Sequence, residues 1–271
     1  MSSAPAWSSA FEGGAVEAVV ALPFQDVREW AFTDSTGAGV RLAVIDSGVD
    51  GDHPRVGGIS GGVALEVDPD DEQETIAREG RHEDLVGHGT ACAAIIRSIA
   101  PDVEIFSVRV LGANLKGRGA MLLAGVEWAV DQGMDVANLS LSSKSAAMYG
   151  PLHGIADEAF FARTVLVCAA NNLPGPTYPS QYASVVSVAA TPSTDERSLV
   201  YNPAPPVEFG ARGIDVDVAW AEGSSITATG NSFAAPHVAG MIALMRAKHP
   251  WLTPFQIKAV LHAACDNSTG G

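Results

Sequence analysis

The sequence predicts an α/β fold, a three-layer sandwich in which a central, mostly parallel sheet is flanked by helices. Three observations predict it. Short runs of apolar, largely β-branched residues recur along the chain and are apolar on both faces, as strands buried from both sides require. Helix-compatible stretches lie between most of these runs, the alternation that generates parallel strands. The 271 residues are 47% hydrophobic, with 28 glycines and 16 prolines, which suits a compact core with many tight turns.

Taken in order, residues 1–24 are small, polar and turn-rich and read as an N-terminal extension, while residues 25–271 read as one domain with neither repeat nor linker. A short helix is expected around Asp26–Phe32. The first buried strand is Val40–Ile45, followed by Val103–Val110, Val136–Leu141, Val165–Ala170 and Val185–Ala189. Helices are expected at His88–Ile99, Gly119–Gln132, Pro151–Ala162, Ser232–His249 and Pro254–Ala264. Between Glu66 and Glu74, six of nine residues are acidic. A solvated loop is the simplest reading of that run, with a cation site or a docking patch for a basic segment as its alternatives.

The net charge of −15 disfavours nucleic acid and anionic membranes as partners, because both need a basic face. No run of 18 apolar residues suggests a membrane span, and no basic region followed by an apolar run suggests a signal peptide. The three cysteines, Cys92, Cys168 and Cys265, cannot all pair within one chain and lack metal-ligand spacing. They read as free thiols in a reducing, cytoplasmic setting. Neither a metal nor another cofactor is expected. Oligomeric state is not legible.

Three short blocks carry the chemistry. GNSFAAPHVAG (230–240) holds a serine among small residues at the start of a helix-compatible run. Gly230 would let the chain turn in close, and Ala234 and Ala235 would leave room for a substrate. Pro236 is expected in the first helical turn, where a missing N–H is harmless. The helix N-terminus would then face Ser232, where negative charge develops in acyl transfer. VIDSGVDGDHP (44–54) ends a buried strand on Asp46, at the sheet edge where α/β folds keep their sites. HGTACAA (88–94) opens a helix with His88. A serine needs a base to take its proton, and the base needs a carboxylate to fix its tautomer. Singly, Ser232 reads equally well as a helix cap, Asp46 as a strand-end turn residue and His88 as an ordinary helix-terminal histidine. Together, in the order Asp, His, Ser, they supply a complete acyl-transfer set.

On these blocks the chain resembles the subtilisin-like serine peptidase family over roughly residues 25–265, with VRVLG (108–112) and VLVCAANN (165–172) as further matching segments. The resemblance implies a subtilisin-like fold and a triad of Asp46, His88 and Ser232. It also implies an oxyanion hole made by the Asn172 side-chain amide and the Ser232 backbone N–H. Asn171 stands where the family usually has glycine, so we expect it to need a glycine-like backbone conformation. Cys92, one turn after His88, is expected to pack behind the imidazole as a small hydrophobe. His237 is expected to be a packing residue. An extended peptide is expected between Leu115-Lys116-Gly117 and Ser140-Leu141-Ser142. Ser142 replaces a common glycine at the rim, and Thr177 is expected on the pocket floor. Leu173 stands where some members carry an acid, which implies a modest pocket for small or medium uncharged side chains. Phe233 replaces the oxidation-sensitive methionine of many relatives.

The calcium loop that many secreted members insert after the histidine helix is absent here, and Arg55 stands in place of a calcium-ligating aspartate. With no pro-segment evident either, the implied function is an intracellular serine endopeptidase acting on a peptide or protein substrate, such as a leader-removing processing enzyme. A transpeptidase or macrocyclase using the same acyl-enzyme, and a catalytically silent binding module, are the alternatives.

Overall fold

The computed structural model describes residues 5–6, 8–11, 16–17, 26–68 and 75–269. Most of the 1–24 extension and residues 69–74 of the acidic run therefore lie outside the described residues. Its elements run β1 (Val16–Glu17), α1 (Val27–Phe32), β2 (Arg41–Asp46), β3 (Gly61–Val67), β4 (Thr75–Glu79), α2 (His88–Ile99), β5 (Glu104–Arg109), α3 (Gly119–Asp131), β6 (Val136–Leu139), α4 (Tyr149–Ala162), β7 (Val165–Ala169), β8 (Val186–Thr191), β9 (Leu199–Tyr201), β10 (Phe209–Arg212), β11 (Val216–Ala219), β12 (Ser225–Ala228), α5 (Asn231–Lys248), α6 (Pro254–Ala263) and β13 (Ser268–Thr269).

Nine strands form one sheet in the order β4-β3-β5-β2-β6-β7-β8-β10-β9. All neighbours are parallel except β4 and β9, which close the two edges antiparallel. The strand period of two splits the core in half. Leu42, Val44, Val136 and Val167 point into one cluster with α2 and α5. Ala43, Ile45, Leu139 and Leu166 point into the other with α3 and α4. Every buried strand is thus covered on both faces, the three-layer architecture its composition demands.

Helix boundaries follow local chemistry. Asp26 caps α1 by accepting the Glu29 N–H. Thr253 and Gln256 cap α6 reciprocally, with Pro254 at its first position. The acidic run does not begin as a loop, because Glu66 is a β3 residue whose carboxylate pairs with Arg78 at 2.9 Å and Arg109 at 2.7 Å. Those two cations hold its carboxyl below the usual range.

Candidate active site

Asp46 ends β2 fully buried. Its carboxylate accepts the Ser47 N–H at 2.7 Å and His88 Nδ1 at 2.8 and 3.0 Å to its two oxygens. His88 reaches it because α2 starts hard against the end of β2. A Cβ on Gly89 would collide with the Gly48 carbonyl oxygen, so only glycine permits that approach. Gly87, at φ 104°, supplies the left-handed turn into the helix. Asp84 then ties the corner together. One of its oxygens accepts from the Ser47 hydroxyl (2.8 Å) and the N–H groups of Val86 and Gly87, and the other from the Thr90 N–H and hydroxyl.

Burial disfavours a charged His88. The charge of Asp46 and its hydrogen bond, with Asp84 adding, outweigh that penalty and raise the imidazole above its ordinary value. With Nδ1 donating to Asp46, Nε2 is the nitrogen left to accept a proton.

Ser232 is the second residue of α5, and its N–H has no hydrogen-bond partner among the described residues. Asn172 follows the end of β7. Its Oδ1 accepts the Asn231 N–H at 2.8 Å, which turns Nδ2 the other way, towards the serine. A Cβ built on Gly230 would lie 3.2 Å from Ser232 Oγ and 3.4 Å from Asn172 Nδ2, so this glycine keeps open the space both groups face. Asn231 is the hub beneath. Fully buried, it accepts from Ala190 N–H and donates from Nδ2 to the carbonyls of Ala6, Ala170 and Asn171. Ala6, from the N-terminal segment, also donates its N–H to the Asn172 carbonyl at 2.8 Å.

Several expectations need correction. Pro236 is the sixth residue of α5, in the second turn, so the helix lacks the donor that would have bonded the Ser232 carbonyl. The Ser140 hydroxyl takes that carbonyl at 2.8 Å, and the Cys92 thiol approaches it at 3.6 Å. Ser140 therefore directs its side chain to the backbone of Ser232. Ala234 and Ala235 are fully buried in the core and leave no room for a substrate. Asn171 does not take a positive φ. Its N–H is bonded by Thr177 Oγ1, and its own Oδ1 accepts the Leu173 N–H, so an ordinary turn replaces the glycine. Thr177 is fully buried behind Asn171, bonded to Ser180, and does not line the cavity.

Cys92 lies beside Asp46 (3.9 Å) as well as behind the serine. Burial and the Asp46 charge push its thiol far up, so it stays protonated. The approach of Asp46, His88 and Cys92 to within 4.8 Å of one another is accounted for by these hydrogen bonds. His237 Nδ1 donates to the Phe233 carbonyl at 2.8 Å, and the ring stays neutral at neutral pH, since burial pushes it down to about 4.

The cavity over these groups measures about 230 Å³ and is lined by His88, Leu111, Leu115, Ser140, Leu141, Ser142, Ala170, Asn171, Asn172 and Ser232. Lys116 and Gly117 line the adjoining cavity instead. Leu115 sits at φ 55° in a loop closed by the Gly112 N–H donating to the Lys116 carbonyl, while its own N–H donates to the Gly112 carbonyl.

Residues 37–271 match the family model described as the subtilase family. The chain belongs to the subtilase family. A thermostable alkaline protease of Halalkalibacterium halodurans is 32% identical over 233 residues, 82% of this chain and 61% of that protein. Subtilisin E of Bacillus subtilis is 31% identical over 240 residues, 82% and 59%. Subtilisin BL of Lederbergia lenta is 33% identical over 235 residues, 82% of each. This subtilase thus spans about three fifths of the length of the first two relatives. The crystal structure of a cold-adapted subtilisin-like serine proteinase superposes with a TM-score of 0.65 at 30% identity, covering 83% of this chain and 81% of that one. The three-layer sandwich is accordingly the subtilisin-like fold. No helix among the described residues of this subtilase is long and apolar enough to cross a membrane.

Proposed function

We propose that this chain is a serine endopeptidase and that residues 25–271 are its catalytic unit. The observation that carries the reading is that His88, bonded at 2.8 Å to the buried Asp46 behind it, lines one cavity with Ser232 and Asn172. His88 Nε2 takes the Ser232 proton as Oγ attacks the scissile carbonyl. Asp46 holds the tautomer and stabilises the imidazolium. The oxyanion accepts from Asn172 Nδ2 and the Ser232 N–H. His88 then protonates the leaving amine, and water releases the acyl group by the same path.

The finer reading is a selective intracellular processing peptidase. Its supports are three buried, unpaired cysteines, which suit a reducing compartment, and a small catalytic cavity whose described lining holds no titratable side chain other than His88. Such a cavity suits small or medium uncharged side chains at the cleaved residue. Incubation with unfolded casein and with a peptide library, read by mass, tests both levels. We expect pairs of products whose summed mass exceeds that of the substrate by one water per bond cut, at a restricted set of sequences. Reduction of casein to small peptides without preference would overturn the processing role, and products lacking the added water would overturn hydrolysis.

A further inference from the structure

Beside the catalytic cavity lies a second one of about 500 Å³, contiguous with it through Leu111, Leu115, Leu141 and Ser142. Its floor is apolar, built from Val110, Leu122 and Leu141, and its walls carry Lys116, Arg118 and Lys144. Among the described residues, no acidic side chain lines it. That is a local reversal in a chain with 31 acids against 16 Lys and Arg. Arg118 is engaged in an interaction of its own, so the two lysines carry the charge reading. Both are exposed, and neither has a hydrogen-bond or ion-pair partner for its ammonium among the described residues. The cavity beside α2, about 880 Å³, has the opposite balance: five acids, Asp50, Asp52, Glu83, Asp84 and Glu222, line it against Arg81 and His82.

We propose that this cavity is a specificity site for an acidic side chain of the substrate, glutamate above all, on the acyl side of the scissile bond. The proposal rests on the peptidase reading and names its substrate class. An apolar floor with cations at the rim fits a side chain whose methylenes are buried and whose carboxylate stays near the mouth. Lysine in the same place would meet two like charges, so the discrimination comes from repulsion as much as attraction. The walls are Leu115-Lys116-Gly117 and Ser142 to Ser145, so a strand laid between them brings its side chain to the cations without further movement. Exposed pairs are individually weak and screened by salt. The preference is therefore expected to be moderate and salt-dependent, about ten-fold for Glu over Lys at low ionic strength.

The test is kcat/KM for one cleaved peptide and its variants carrying Glu, Gln or Lys at each acyl-side position in turn, at 20 mM and 500 mM salt. It is run on the wild type, on K144Q and on K116E/K144E. Peptide affinity for S232A, by fluorescence anisotropy, runs in parallel. Expected is one position at which Glu exceeds Lys about ten-fold at low salt, through KM more than kcat. The preference should shrink in K144Q and at high salt, and reverse in K116E/K144E. Equal values at every position, or a preference unchanged by charge reversal, overturns the proposal. Cleavage of the Gln peptide keeps the peptidase reading separate, since that reading fails only if no peptide is cut. In that event the affinities for S232A still decide whether the cavity selects acid.

Discussion

At the scale of single residues, the site depends on which lone pairs and protons are already committed. The Asn172 amide is held in one orientation because its Oδ1 accepts the Asn231 N–H, which leaves Nδ2 as the group free to donate. Replacing it by Leu should lower kcat by about 10²–10³-fold with little change in KM. That magnitude is the one found for subtilisin's own oxyanion asparagine, carried over to this relative; steady-state kinetics on a peptide substrate checks it. His88 makes a second prediction. Catalysis needs a neutral imidazole, and Asp46 raises its affinity for a proton, so activity must be lost as pH falls through a value above 6.5. The pH profile of kcat/KM should show an acid limb there. In D46N the limb should move down, and the rate should fall by about 10⁴-fold, as in other triad enzymes including subtilisin.

At the scale of elements, the start of α5 is held from three directions. Asn231 ties it to the ends of β7 and β8, and Asn172 tethers its first N–H. Ser140, just past β6, replaces the donor that Pro236 removes. S140A should therefore leave the Ser232 carbonyl without its hydroxyl partner and lower stability by about 1–3 kcal/mol, read by urea denaturation, with a fall in kcat. None of this support is legible from the blocks alone. Asp84 and Ser140 act through bonds to backbone groups 92 residues away or around a corner, and no local pattern marks them. The helices were legible, because apolar periodicity and punctuating prolines bound them. The strands β3, β4, β9, β10, β11 and β12 were not. Two glycines open β3 and one lies within β10, β4 and the β11–β12 hairpin carry exposed polar residues, and β9 has only three residues, so none presents the apolar run that marks a buried strand. Asn171 shows the limit of reasoning by substitution: a missing glycine predicted a strained backbone, whereas a threonine six residues on supplies an unstrained turn.

Across the whole molecule, fold class was readable because burial on both faces constrains it strongly, and the three short blocks were enough to propose Asp46, His88 and Ser232 as a triad. Charge distribution was not, since it depends on which loops meet. Arg97 illustrates this. α2 passes to β5 through only Ala100–Val103, and the Arg97 guanidinium donates to the carbonyls of Val56, Gly58, Pro101 and Val103 at 2.8–3.1 Å. A side-chain cation thus satisfies a ring of carbonyls at the end of the histidine helix, while Arg55 pairs with Asp217. R97M should cost roughly 2–4 kcal/mol, measured by urea denaturation, because those carbonyls lose a charged donor. A chelator should leave the melting temperature of the wild type unchanged; a drop of several degrees would contradict this account of the corner.

The central claim is that Ser232 is an activated nucleophile. Labelling with a fluorophosphonate probe, located by peptide mass, tests it most directly. The wild type should gain one phosphonyl group on Ser232, and S232A and H88A should gain none at matched times. Labelling that persists in S232A, or a folded wild type that stays unlabelled, would contradict it.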